Sequence, residues 1–193
     1  MNDLSLIDDQ QFILDQIVQI AAEERVDAVL VAGDVYQRTS PQAEAMALFD
    51  GFVSRLAQNG QKVFVISGNH DSALRISYFS SLVKGSGVYV TETFQGELQH
   101  VTLEDRDGDI TVWMLPFLRP AQAKRAFPEE KIAACQDAVQ AVLRNADIDY
   151  SKRNVLLCHQ FILGCEVCES EEMNIGTLDH IDGAVFNGFD YVA

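Results

Sequence analysis

Two stretches decide the fold: Asp27-Ala-Val-Leu-Val-Ala-Gly33-Asp34, and Lys62-Val-Phe-Val-Ile-Ser67-Gly68-Asn69-His70-Asp71. Each opens as a short, continuous apolar run, the pattern of a strand covered on both faces. Each then breaks at a glycine and turns polar. Between them Pro41 opens a helical pattern, with Ala45, Leu48, Phe49, Phe52 and Leu56 on one stripe and Asn59-Gly60 closing it. Helical and extended patterns alternate, which predicts a layered α/β fold.

The same texture continues outward. Residues 8–24 predict a helix behind the acidic first turn Asp8-Asp9, with Phe12, Ile13, Ile17, Ile20 and Ala21 at helical spacing. After Gly87 the elements shorten. Strands are predicted at 88–90, 97–103 and 110–115, the last two joined across the turn Asp105-Arg-Asp-Gly108. Residues 120–144 read as mostly helical, with a break near Phe127-Pro128. A further apolar strand at 154–158 ends at His159-Gln160, residues 164–176 form a polar loop, and 189–193 read as a last strand. No repeat, low-complexity tract or linker interrupts the chain, so one domain is expected over residues 1–193.

Composition narrows the class. With 48% hydrophobic and 22% charged residues among 193, the chain can build one core without disulfide staples. No apolar run approaches the roughly 18–20 residues of a membrane span. The start, MNDLSLIDDQQ, lacks the features of a signal peptide, so a cytoplasmic location is the default expectation. The cysteines Cys135, Cys158, Cys165 and Cys168 are then expected as reduced thiols. Cys165 and Cys168 form a C-x-x-C, but a zinc site needs a second pair, and Cys135 and Cys158 do not supply that spacing. They read as loop cysteines.

The net charge of −15 rules out a grip on nucleic acid by a broadly basic surface. If nucleic acid is the substrate, bound metal ions, missing segments or a partner must supply the grip.

Chemistry concentrates just past strand ends, where ligands of α/β sheets collect. Gly33-Asp34-Val35-Tyr36 follows the first strand and Gly68-Asn69-His70-Asp71 the second; His159 follows the strand at 154–158. A lone Gly-Asp is usually a turn and a lone His a satisfied imidazole. Asn-His-Asp together offers a metal ligand, a proton donor and a group to orient that donor. All three clusters in one chain predict a metal site in which Asp34, Asn69, His70 and His159 share one cavity at the sheet's rim. His100 and His180 read as structural, Trp113 as strand core, and the acidic run Glu169-Ser-Glu-Glu172 as a solvated loop. Arg75 and Lys84, downstream of Asn-His-Asp, are either solvated charges or contacts to a DNA phosphate.

Ala32-Gly33-Asp34 paired with Ser67-Gly68-Asn69-His70-Asp71 resembles the signature of calcineurin-like metallophosphoesterases. The stretches Val26-Asp-Ala-Val-Leu-Val-Ala-Gly-Asp-Val-Tyr36, Gly68-Asn-His-Asp-Ser-Ala-Leu-Arg75, Leu157-Cys-His-Gln-Phe161 and Asp182-Gly-Ala-Val-Phe-Asn-Gly-Phe-Asp-Tyr-Val192 are similar to its double-strand-break repair branch, the bacterial SbcD-type nucleases. This resemblance covers nearly the whole chain. It implies a layered sandwich of mixed sheets flanked by helices. It implies that Asp34 bridges two Mn²⁺ or similar ions, that Asn69 and His159 ligate the second ion, and that His70 protonates the leaving oxygen or steadies the transition state while Asp71 holds its ring. The reaction implied is in-line hydrolysis of DNA phosphodiesters, with the ion pair stabilising entering and leaving oxygens. A double-strand exonuclease and single-strand endonuclease acting in DNA repair, recombination and replication is implied, with an SbcC-type ATPase subunit as partner and DNA ends and hairpins as substrate. A homodimer within a heterotetramer is allowed by it.

The chain also departs from the family pattern. The family's Asp-x-His before the first helix and Gly-His-x-His after the last strand have no counterpart in these residues, and Gln37 stands where relatives often carry an acid. Both ends are therefore expected to be truncated, four ligand positions to be absent and nuclease activity of this stretch alone to be low. The alternatives are a phosphatase or phosphodiesterase of small substrates, and a non-catalytic partner-binding remnant.

Overall fold

The computed structural model describes residues 5–36, 38–76, 84–91, 93–163 and 180–193. Its contacts divide the chain, read from sequence as one domain, into two compact units, Met1–Glu92 and Thr93–Ala193. Each unit has its own apolar core. Gln37, Cys165, Cys168, the run 169–172 and the loop 164–176 lie outside the described residues.

The first unit runs α1 (Ile7–Glu23), β1 (Ala28–Val31), α2 (Ala43–Gln58), β2 (Lys62–Val65), α3 (Ala73–Ile76) and β3 (Val88–Val90). The strands form a parallel sheet in the order β1-β2-β3, with Ala28 opposite Lys62 and Val31 opposite Val65. Val63 and Val65 join Phe52 and Leu56 of α2 in the core. Gly60, with φ 91°, ends α2 where Asn59-Gly60 predicts a stop. The helix itself starts at Ala43 behind an extended Gln42, so Pro41 precedes it and does not occupy its first turn.

Helix α1 departs from expectation in its facing. Of the predicted stripe only Ala21 is buried; Phe12, Ile13, Ile17 and Ile20 are 61%, 51%, 38% and 56% exposed. Leu14 and Val18 pack against the core instead. The helix carries apolar residues around more than half its circumference, so two different sets satisfy a 3.6-residue period.

The second unit runs β4 (Gln99–Asp105), β5 (Gly108–Leu115), α4 (Pro120–Ala126), α5 (Cys135–Asn145), β6 (Arg153–Cys158), β7 (Phe161–Leu163), β8 (His180–Asp182) and β9 (Tyr191–Val192). Its main sheet is mixed, ordered β4-β5-β6-β9. β4 and β5 form the antiparallel hairpin predicted across residues 105–108, and β5, β6 and β9 run parallel. β7 and β8 form a separate parallel pair. Val139 and Val142 of α5, with Leu115, Leu156, Ile181 and Phe186, fill the core.

One polar link crosses that core. Trp113 donates from Nε1 to Asn154 Oδ1 at 2.8 Å, while the Asn154 amide donates to the carbonyls of Asp149 and Lys152. The buried donors are thus satisfied, as burial requires. His100, expected on an edge strand, lies on β4 at the sheet edge with its ring 4.4 Å from that of Trp113. The architecture is α/β with mixed sheets and flanking helices. No helix among the described residues is long and apolar enough to cross a membrane.

Candidate metal centre

In the first unit the chain leaves β1 and β2 side by side. The pair Val31–Val65 closes the ladder, and Ile66 N donates to Val31 O at 3.2 Å just beyond it. Both loops therefore emerge at the same carboxyl edge. Gly33 (φ 89°) and Asp34 (φ 48°) are consecutive left-handed residues, which swings the Asp34 side chain across toward the second loop. Aspartate is among the few side chains that tolerate this region.

The second loop is built to receive it. A Cβ on Gly68 would collide with Asp34 Oδ1 and its backbone nitrogen and would stand 2.8 Å from Asp34 Cγ. Only glycine allows this approach. Asp34 Oδ1 then accepts the backbone N–H of His70 at 3.2 Å. Asp34 and His70 are exposed, and Asn69 between them is half-buried.

Asp71 locks the arrangement. Its Oδ2 accepts the N–H groups of Gly68 (2.8 Å) and Val35 (3.1 Å), and its Oδ1 that of Tyr36 (2.9 Å). One carboxylate thereby fastens two loops that are 35 residues apart in sequence. The partners of Asp71 are backbone amides, whereas the sequence expectation has it holding the His70 ring. Tyr36 packs edge-on against Phe49 at 5.9 Å, and burial first, then the charges of Asp71 and Asp50, raise its hydroxyl pKa. Arg75 is exposed on the short helix α3.

In the second unit β6 delivers His159. Its register against β5 ends at Leu115–Cys158, and Cys158 N donates to Ala193 O at 2.9 Å. The His159 ring stands edge-on to Phe117, 6.2 Å between centroids. Phe117 likewise meets Phe161 at 6.2 Å, and Phe161 approaches His180 at 6.4 Å. Beneath them Cys158 is buried, which pushes its thiol up to about 12 and keeps it protonated.

The predicted site residues thus fall into two groups: Asp34, Asn69, His70 and Asp71 gather in one loop pair of the first unit, and His159 belongs to the second unit. Sequence reasoning missed the backbone amides of Val35 and Tyr36 as the anchors of Asp71, and missed Phe117 beside His159. The Gly68 N–H on Asp71 had a signal, since an Asp at a turn habitually takes nearby N–H groups; the amides of Val35 and Tyr36, distant in sequence, had none. A carboxylate, an amide oxygen and an imidazole are the donor chemistry of a borderline divalent ion. In number the set is short: among the described residues no three His, Cys, Asp or Glu side chains gather as a metal-holding group.

Strand ends that present a Gly-Asp and a Gly-Asn-His-Asp loop locked to each other define a phosphoesterase of the calcineurin type. The family model for calcineurin-like phosphoesterases matches residues 2–175, and the chain belongs to that family. The family implies divalent metal ions. Among curated proteins the chain is similar to the SbcD component of the SbcCD nuclease from Staphylococcus epidermidis, with 29% identity over 196 residues, covering 100% of this chain and 51% of that protein. The chain thus spans about half the length of the curated relative it matches.

Proposed function

We propose that this chain carries part of the catalytic domain of a metal-dependent DNA nuclease of the SbcD type, and that residues 1–193 belong to one such domain. The observation that carries this is the locked loop pair, in which Asp34 is pressed against Gly68 and hydrogen-bonded by His70 N–H. Similarity along the whole chain to a nuclease component supports the choice of nucleic acid over other phosphodiesters.

In this reading Asp34, Asn69 and His159 are metal ligands, and Arg75 meets the DNA backbone. Divalent ions bound by the complete protein, two Mn²⁺ or similar ions in our reading, would supply charge neutralisation at the phosphate. The chain's own part is orientation and proton transfer. Asp34, held by the His70 amide, presents its carboxylate in a fixed direction. His70, exposed on the same loop, gives a proton to the leaving oxygen or steadies the charge there. Asp71 keeps the loop in place through its three amides. An ATPase partner of the SbcC type supplies the DNA grip that a net charge of −15 does not. The setting is DNA repair, recombination and replication in the cytoplasm, on duplex ends and hairpins.

The test is degradation of linear duplex and hairpin DNA in Mn²⁺ and ATP by the full-length protein with its SbcC-type partner, alongside chromogenic phosphomonoesters and phosphodiesters. Shortening of DNA that is lost in His70→Gln supports the proposal. Turnover of the chromogenic esters with DNA intact would point to a small-substrate phosphatase. Partner binding with no hydrolysis of either would point to a non-catalytic module.

A further inference from the structure

We propose that Arg119 is a DNA-phosphate contact, held in position beside His159 by the ring of Phe117. The inference rests on the nuclease reading and adds a substrate-positioning residue to it.

The observation begins in the charge pattern. The chain carries 29 acidic residues against 14 basic ones, yet residues 110–128 contain Arg119, Lys124 and Arg125 and no carboxylate. All three cations are exposed. The ion pairs among the described residues are Arg55–Asp15, Arg106–Asp107, Arg144–Glu130 and Arg153–Asp105, and none engages these three. A cation without a carboxylate partner, in a chain this acidic, is available to an external anion.

Geometry then singles out Arg119. Its guanidinium carbon sits 5.4 Å over the centroid of the Phe117 ring. The same ring meets His159 edge-on at 6.2 Å. A cation–π contact restrains the side chain without neutralising it, so the charge stays free to attract phosphate. The guanidinium carbon can lie no farther from the His159 ring than these two distances laid end to end. Since a DNA strand rises about 3.4 Å per phosphate, that span covers about three phosphates or fewer. A strand whose scissile phosphate lies at His159 would bring a neighbouring phosphate to Arg119. Guanidinium suits this role because its planar fork of donors matches two phosphate oxygens. The fork is also exchangeable without harm to the fold: Arg119 enters the helix cap through its backbone N–H, which donates to Gln122 Oε1 at 2.7 Å.

The test is the salt dependence of DNA binding by the full-length protein in complex with its SbcC-type ATPase partner, read by fluorescence anisotropy on a labelled hairpin DNA. The wild type, Arg119→Gln, Arg119→Lys and Phe117→Leu are compared. Loss of one phosphate contact lowers the magnitude of the log–log slope by about 0.9. We expect that drop for Arg119→Gln, a retained slope for Arg119→Lys, and a retained slope with weaker affinity for Phe117→Leu, because the cation remains but is no longer held. A wild-type slope in Arg119→Gln overturns the inference and leaves the nuclease reading standing. Absence of salt-dependent DNA binding by the wild-type complex overturns both.

Discussion

Asp34 and Gly68, 34 residues apart, touch so closely that a methyl group on Gly68 would lie 2.8 Å from the Asp34 carboxyl carbon. The contact joins the loops that follow β1 and β2, and it depends on a side chain that is missing. It therefore makes a sharp prediction. In Gly68→Ala the two loops have to separate, at an overpacking cost of about 1–3 kcal/mol. Urea unfolding should show the midpoint falling by a matching amount; an unchanged midpoint would mean the loops do not meet.

Asp71 is the second fastening. Asp71→Ala leaves the N–H groups of Val35, Tyr36 and Gly68 without their acceptor. Each part-buried orphan costs on the order of 1 kcal/mol or more. Hydrogen exchange should show these three amides protected in the wild type and exposed in the variant. Equal protection in both would remove Asp71 from its place in the lock.

Acid should reach the Asp105 carboxylate late. Asp105 is lowered to about 2, chiefly by hydrogen bonds from Arg153, whose Nη1 and Nη2 reach its two oxygens at 2.8 Å each. The unfolded value is 3.8, so the pair's contribution is complete above about pH 4 and disappears as pH falls through about 2. An NMR titration of the Asp105 carboxyl should give a midpoint near 2, moving toward 3.8 in Arg153→Gln. A wild-type midpoint near 3.8 would break the assignment.

Cys158 offers a chemical check on the strand that carries His159. Burial raises its thiol to about 12, so at pH 8 the native protein should leave Cys158 unalkylated by iodoacetamide. Peptide mass spectrometry should find it modified only after unfolding. Rapid native modification would show that the end of β6 is open to solvent.

Much of this architecture was legible in the chain. The strands β1, β2 and β6, the turn at 105–108 and the interruption after Ala126 follow from apolar continuity and turn chemistry, which act over a few residues, although β1 is half-buried where its apolar run predicts full cover. The facing of α1 was not, because Phe12, Ile13 and Ile17 compete with Leu14 and Val18 for the same period and only tertiary contact chooses between them. At the site, Asp34, Asn69 and His70 were visible as residue types at strand ends. The lock was not, since the acceptors and donors of Asp71 lie 35 residues apart and involve backbone amides that carry no mark in a sequence. Phe117 and Arg119 were invisible for a similar reason: their meaning comes from a ring placed beside His159.

The proposed function stands on Asp34, Asn69 and His159 each acting as a metal ligand. Paramagnetic broadening of amide signals in the isotope-labelled chain, on stepwise addition of Mn²⁺, is the decisive measurement. Early, selective loss of the Asp34, Asn69 and His159 amides is expected, abolished in Asp34→Asn, with fewer than two ions bound tightly. Broadening that begins at other acidic residues and leaves these three amides sharp, or that spares His159 while erasing the other two, would contradict it.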